Sequence, residues 1–160
     1  MTTLYLDMDG VVADFDAYAE QMIGKRSENN RWSREDWRKL RDHKRMYRDL
    51  PKTPEADALV DFCRKFTKEK GYNLLFLTAV PKGNDFHWAF YDKVNWARDY
   101  YPDIPVHFGP FSVDKQVHCE AGDILIDDRL SNNEEWALAG GIAIRHQGNL
   151  EDTLRKLQEL

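Results

Sequence analysis

Five short apolar runs recur along the chain, at residues 3–7, 74–78, 104–108, 123–127 and 141–145, each about the length of a strand. The first barely alternates between apolar and polar positions, as expected of a strand buried on both faces of a parallel sheet. Pro105 lacks a backbone N–H, which places the third run at a sheet edge. Helical patterns separate the runs. The clearest opens at Thr53-Pro54, with threonine as the expected cap and proline at the first helical position, and presents Ala56, Leu59, Val60, Cys63 and Phe66 on one face before Gly71. Others are expected from about Asn84 to Tyr100, stopped by Pro102, from about Asn132 to Ala139, and after Asn149.

Strand and helix therefore alternate, which predicts an α/β fold: a doubly wound parallel sheet with helices on both sides and a ligand crevice at the carboxyl ends of the strands. Asp7, Thr78 and Asp127 all fall at such ends. Residues 17–48 break the alternation with helical, basic and aromatic sequence containing Trp32, Trp37 and Tyr47, and Ser33-Arg34-Glu35-Asp36 has the form of a capping box. The expected organisation is one domain over residues 1–160, with a small helical cap over 17–50 inserted after the first strand.

Composition adds limits. The chain has 160 residues, 42% of them hydrophobic, enough for one full core. It contains no apolar stretch of the ~18 to 20 residues that spans a bilayer and no signal-like start, so a soluble, cytoplasmic protein without a membrane partner is expected. Cys63 and Cys119 belong to no metal or redox spacing and read as small buried apolar residues, and the five histidines form no ligand pattern. The net charge of −5 is uneven: residues 25–52 hold 11 Lys and Arg against 5 Asp and Glu, and the rest of the chain 12 against 23. Overall acidity argues against a large nucleic-acid footprint, and the basic segment is either a solvated face or an attractor of phosphorylated substrate. Trp32, Trp37 and Tyr47 suit the cap's own core and substrate contact equally.

The strand ends together offer Asp7, Asp9, Thr78, Lys115, Asp127 and Asp128. Any one of these has an ordinary structural use: aspartates bond nearby amides in turns, a threonine ends a strand, a lysine is solvated in a loop. Jointly they form a phosphoryl-transfer set. One carboxylate can attack phosphorus, a second can protonate the leaving oxygen, oxygen ligands suit Mg²⁺, and the hydroxyl and ammonium can hold phosphate oxygens.

In this order the residues resemble the four motifs of the haloacid dehalogenase (HAD) superfamily: Asp7-Met8-Asp9-Gly10-Val11, then Thr78, then Lys115, then Ile126-Asp127-Asp128. The longer string from Asp7 to Phe15 is similar to the 5'(3')-deoxyribonucleotidases and their phage and bacterial relatives. The resemblance implies a HAD-like Rossmannoid core with a helical cap and a Mg²⁺-dependent phosphatase of nucleoside monophosphates, with Asp7 as nucleophile and Asp9 as acid/base. It also implies a metal site of Asp7, Asp9 through its backbone carbonyl, Asp127 and Asp128, with Asp128 as the expected direct ligand. Thr78, Lys115, Lys82 and the backbone at Ala79 would bind phosphate, and Phe15 with Trp37 would hold the base. Ala79 departs from the pattern, since these nucleotidases carry a hydroxyl-bearing residue there.

The same residues admit other readings. A sugar phosphate or a polynucleotide 3'-phosphate would suit the same core, because the cap selects the substrate. A receiver-type phosphoacceptor is disfavoured because the third run ends at His107-Phe108 with no aspartate, and an inactive binding domain because every core side chain is present. Nucleobase, sugar, phosphate position and oligomeric state are not encoded in these motifs.

Overall fold

The computed structural model describes residues 1–26, 31–43, 45–83 and 86–160. All five apolar runs form strands: β1 (Thr3–Leu6), β2 (Asn73–Thr78), β3 (Val106–Phe108), β4 (Ile124–Asp127) and β5 (Ile142–Arg145). They pair in parallel in the order β3-β2-β1-β4-β5. The central strands are apolar on both faces because helices cover both, and β1 is buried at all four positions. β3 is an edge strand, consistent with Pro105 just before it.

The chain order doubles back beside β1, so the carboxyl ends of β1, β2 and β4 lie side by side and open the crevice such sheets use for ligands. Seven α-helices are described: α1 (Phe15–Ile23), α2 (Arg34–Asp42), α3 (Met46–Asp49), α4 (Ala56–Lys70), α5 (Ala89–Tyr100), α6 (Leu130–Leu138) and α7 (Leu150–Gln158). A 3-10 helix spans Ser112–His118. None of the helices among the described residues is long and apolar enough to cross a membrane.

α1 to α3 occupy the sequence between β1 and α4, with helix already under way at Phe15 because Asp14 caps α1, its carboxylate accepting from the Ala17 N–H at 3.1 Å. The capping box at α2 is complete, with Ser33 and Asp36 each accepting from the other's backbone N–H at 3.1 Å. α4 buries the expected face and ends at Gly71, which takes a left-handed conformation.

Its start differs from the sequence expectation. Glu55 is the cap, without a side-chain bond to its own helix, and Thr53 is committed elsewhere: its hydroxyl donates to the Val11 carbonyl at 3.0 Å and its N–H to the Val12 carbonyl at 2.9 Å. A threonine that ties down the loop after β1 is unavailable to cap a helix. α6 begins two residues before Asn132, and Asn149 caps α7. The described part of α5 begins at Ala89; Asn84, where its start was expected, lies outside the described residues. Cys63 is buried in the core, whereas Cys119 is only half-buried, at the margin of the smaller apolar cluster around Trp136.

Candidate active site

β1 delivers Asp7 into the sheet's carboxyl edge, where the Asp7 N–H still donates to Ile126 O at 2.9 Å. The chain then folds around a single acceptor, the Met8 carbonyl, which receives the N–H groups of Val11, Val12 and Ala13 at 2.9 to 3.2 Å. Gly10 permits this turn. Its φ is +80°, and a Cβ there would collide with the Asp128 carboxylate arriving from the end of β4.

Three carboxylates converge. Oxygen atoms of Asp7, Asp127 and Asp128 all lie within 4.8 Å of one another. Lys115, buried in the 3-10 helix rather than solvated in a loop, donates to Asp7 Oδ1 and to Asp127 Oδ2, each at 2.7 Å. Asp127 is fully buried and has a donor on each oxygen: Oδ2 also accepts from Asn132 Nδ2 at 2.9 Å and Oδ1 from the Arg129 N–H at 2.9 Å, three bonds that leave one of its lone pairs free. The Asp128 carboxylate accepts no hydrogen bond among the described residues, leaving its lone pairs open.

Electrostatics follow from this count of charges. Burial pushes the Asp7 carboxyl up to about 6, Asp127 adds to the rise, and Lys115 opposes it. Asp128 is raised further, to about 8, by burial and then by Asp7 and Asp127. Burial alone would lower the Lys115 ammonium, but the two carboxylates outweigh it and hold it above its ordinary value. Three carboxylates against one ammonium leave an excess of negative charge, and the open oxygens of Asp128 face that excess. This donor set fits a hard divalent cation.

Asp9 stands apart from the triad. Its Oδ2 accepts from Lys93 Nζ at 2.7 Å, and Lys93 also donates to Thr78 Oγ1 at 2.8 Å. Asp7, Asp9, Lys115 and Asp128 line one cavity of about 820 Å³, within the range of small-molecule sites. Ala79 and Lys82 line it from the segment after β2, with Lys82 Nζ 5.7 Å from the centre of the Phe111 ring. Thr78 and Asp127 are fully buried and do not reach the cavity surface.

The opposite wall is aromatic. Phe15 lies 5.6 Å from Trp37 and 6.2 Å from Tyr47, centroid to centroid, and all three line the cavity. Trp32 lines it too, and its Nε1 is buried without a partner among the described residues. The basic rim comprises Arg31, Lys82, Arg129 and Arg145.

Sequence reasoning missed Lys93, Asn132 and Phe86, the last packing edge-on against Trp37 and Tyr47 at 6.0 and 5.6 Å. Lys93 had a detectable signal. Ala89, Asp92, Lys93, Trp96 and Ala97 have the spacing of a buried helix face, and two charges on such a face require partners. Asp92 finds Arg45, which donates through Nε at 2.7 Å and through Nη2.

An acidic pocket at the carboxyl edge of a parallel sheet, held by a buried lysine and walled by rings, defines a hydrolase of the HAD-like phosphatase class. Residues 1–155 match the family described as 5' nucleotidase, deoxy (pyrimidine), cytosolic type C protein, and the chain belongs to that family. It is thus a phosphoric monoester hydrolase of the nucleotidase type. No curated protein matches the chain. Among solved structures, a hydrolase from Pseudomonas syringae aligns over 100% of this chain and 99% of its own, with 11% identity and a TM-score of 0.49.

Proposed function

We propose that the protein is a Mg²⁺-dependent phosphatase of a (deoxy)nucleoside 5'- or 3'-monophosphate, acting through an aspartyl-phosphate on Asp7. The observation that carries this reading is the Asp7–Lys115–Asp127–Asp128 cluster opening into the same cavity as Asp9 and an aromatic wall. Asp7 attacks phosphorus, the bond from phosphorus to the nucleoside oxygen breaks, and that oxygen takes a proton from Asp9. Water then attacks the phosphorus of the aspartyl-phosphate, gives its proton back to Asp9, and frees inorganic phosphate and Asp7.

Mg²⁺ bound by Asp7, Asp128, the Asp9 carbonyl and Asp127 would supply charge to the transferring phosphoryl oxygens. Lys115 keeps Asp7 ionised and oriented, and with Lys82 and the backbone at Ala79 holds the phosphate. Thr78 acts from beneath the surface, its hydroxyl fixed by Lys93. Residues 17–50 act as the cap, with Phe15 and Trp37 stacking on the base. The family's pyrimidine name and the aromatic lining of the cavity both support a nucleotide over a sugar phosphate. A phosphate-release screen with Mg²⁺ over nucleoside monophosphates and sugar phosphates tests the reading. Turnover confined to nucleotides is expected, and release from sugar phosphates alone would overturn the substrate assignment.

A further inference from the structure

Lys93 belongs to no motif of the sequence, yet it is 1% exposed and sits between the acidic floor and the aromatic wall. An ammonium has three protons and no acceptor. Here two are directed to Asp9 Oδ2 and Thr78 Oγ1, at 2.7 and 2.8 Å, and the Tyr47 ring occupies a third side with its centroid 4.7 Å from Nζ. A buried cation with all three sides taken cannot follow a moving substrate. It fixes where its partners lie.

We propose that Lys93 is the positioning residue for Asp9. By clamping Oδ2 it leaves Oδ1 as the oxygen that exchanges a proton with the leaving group, and it holds that oxygen toward the cavity. The same contact ties Asp9 to the cap. Lys93 touches Tyr47 of α3, and the preceding residue, Asp92, is bound by Arg45 at the start of α3. One turn of α5 therefore sets the orientation of Asp9 relative to the wall that receives the substrate. Thr78 completes the clamp from the end of β2, so the three elements that meet at the crevice share one cation.

The inference rests on the reading of Asp9 as acid/base, and the test separates the two. Lys93→Met, Lys93→Gln, Asp9→Asn and Asp9→Asn with Lys93→Met are compared on a nucleoside monophosphate, whose alkoxide must be protonated, and on the p-nitrophenol burst from p-nitrophenyl phosphate, whose leaving group need not be. Misplacement of the acid predicts that Lys93→Met loses roughly 10- to 100-fold in kcat on the nucleotide with little change in KM. The burst rate should change by less than about 3-fold, and the double variant should be no worse than Asp9→Asn alone. Lys93→Gln, which keeps a donor, should recover part of the loss and serves if the methionine variant does not fold. Equal losses on both substrates, or losses that add in the double variant, would show a merely structural lysine and overturn the proposal. Full nucleotide turnover by Asp9→Asn would overturn the acid assignment as well, whereas an inactive Asp9→Asn beside indifferent Lys93 variants would overturn only the role of Lys93.

Discussion

At the floor of the cavity Lys115 holds two buried carboxylates at 2.7 Å each, whereas the wall is made of Phe15 with Trp37 and Tyr47, whose ring centres lie 5.6 and 6.2 Å from its own. The floor is directional: every oxygen of Asp127 has a named donor, so the geometry is fixed before any ligand arrives. The wall is not, because packed rings accept many orientations of a flat partner at similar energy. Chemistry common to all phosphomonoesters belongs on the first kind of surface, and selection among them on the second.

The largest effect should come from removing the cation that pairs with both Asp7 and Asp127. Lys115→Met leaves the buried Asp7 and Asp127 carboxylates uncompensated, and a loss of about 3 to 5 kcal/mol in stability is expected by denaturant titration, together with loss of turnover. A variant of near-native stability would show that the carboxylates are not held as described. Trp37→Ala should act on the wall alone. Losing one stacking ring, about 1 to 3 kcal/mol, should raise KM for the nucleotide roughly 5- to 150-fold with kcat nearly kept. A fall in kcat at constant KM would place Trp37 in the chemistry rather than in selection.

A smaller effect concerns pH. Asp7 and Asp128 bind protons more tightly in the folded protein, up to about 6 and about 8, than at the ordinary carboxylate value of 3.8. Where the folded state holds the extra protons, stability falls as pH rises, so their contribution is present at low pH and lost through those two values. With a chelator present, Tm should therefore drop between about pH 6 and about pH 8.5, and Mg²⁺ should raise Tm more at the higher pH, where it replaces the lost protons. Equal Mg²⁺ stabilisation at both values would contradict the cluster as the cation site.

The same contrast governs what the sequence disclosed. The strands were legible because apolar runs of strand length alternate with helical patterns along the chain, and Asp7, Asp127 and Asp128 because a parallel sheet gathers strand ends. The wall was half legible: Phe15 and Trp37 could be named, but Phe86, which packs edge-on against Trp37 and Tyr47, comes from the segment before α5, distant in sequence. Lys93 escaped because it acts from the middle of a helix, where only its place on the buried face marks it. Thr53 misled because its hydroxyl serves a loop 42 residues away, a contact that no local pattern contains.

The central claim is that Asp7 carries the phosphoryl group. Acid-quenched protein taken during nucleotide turnover and digested for mass spectrometry should show one phosphoryl group on the peptide containing Asp7, absent from Asp7→Asn, whose kcat should fall on the order of 10⁴-fold or more. Full turnover by Asp7→Asn, or a phosphoryl group found on a different residue, would contradict the account.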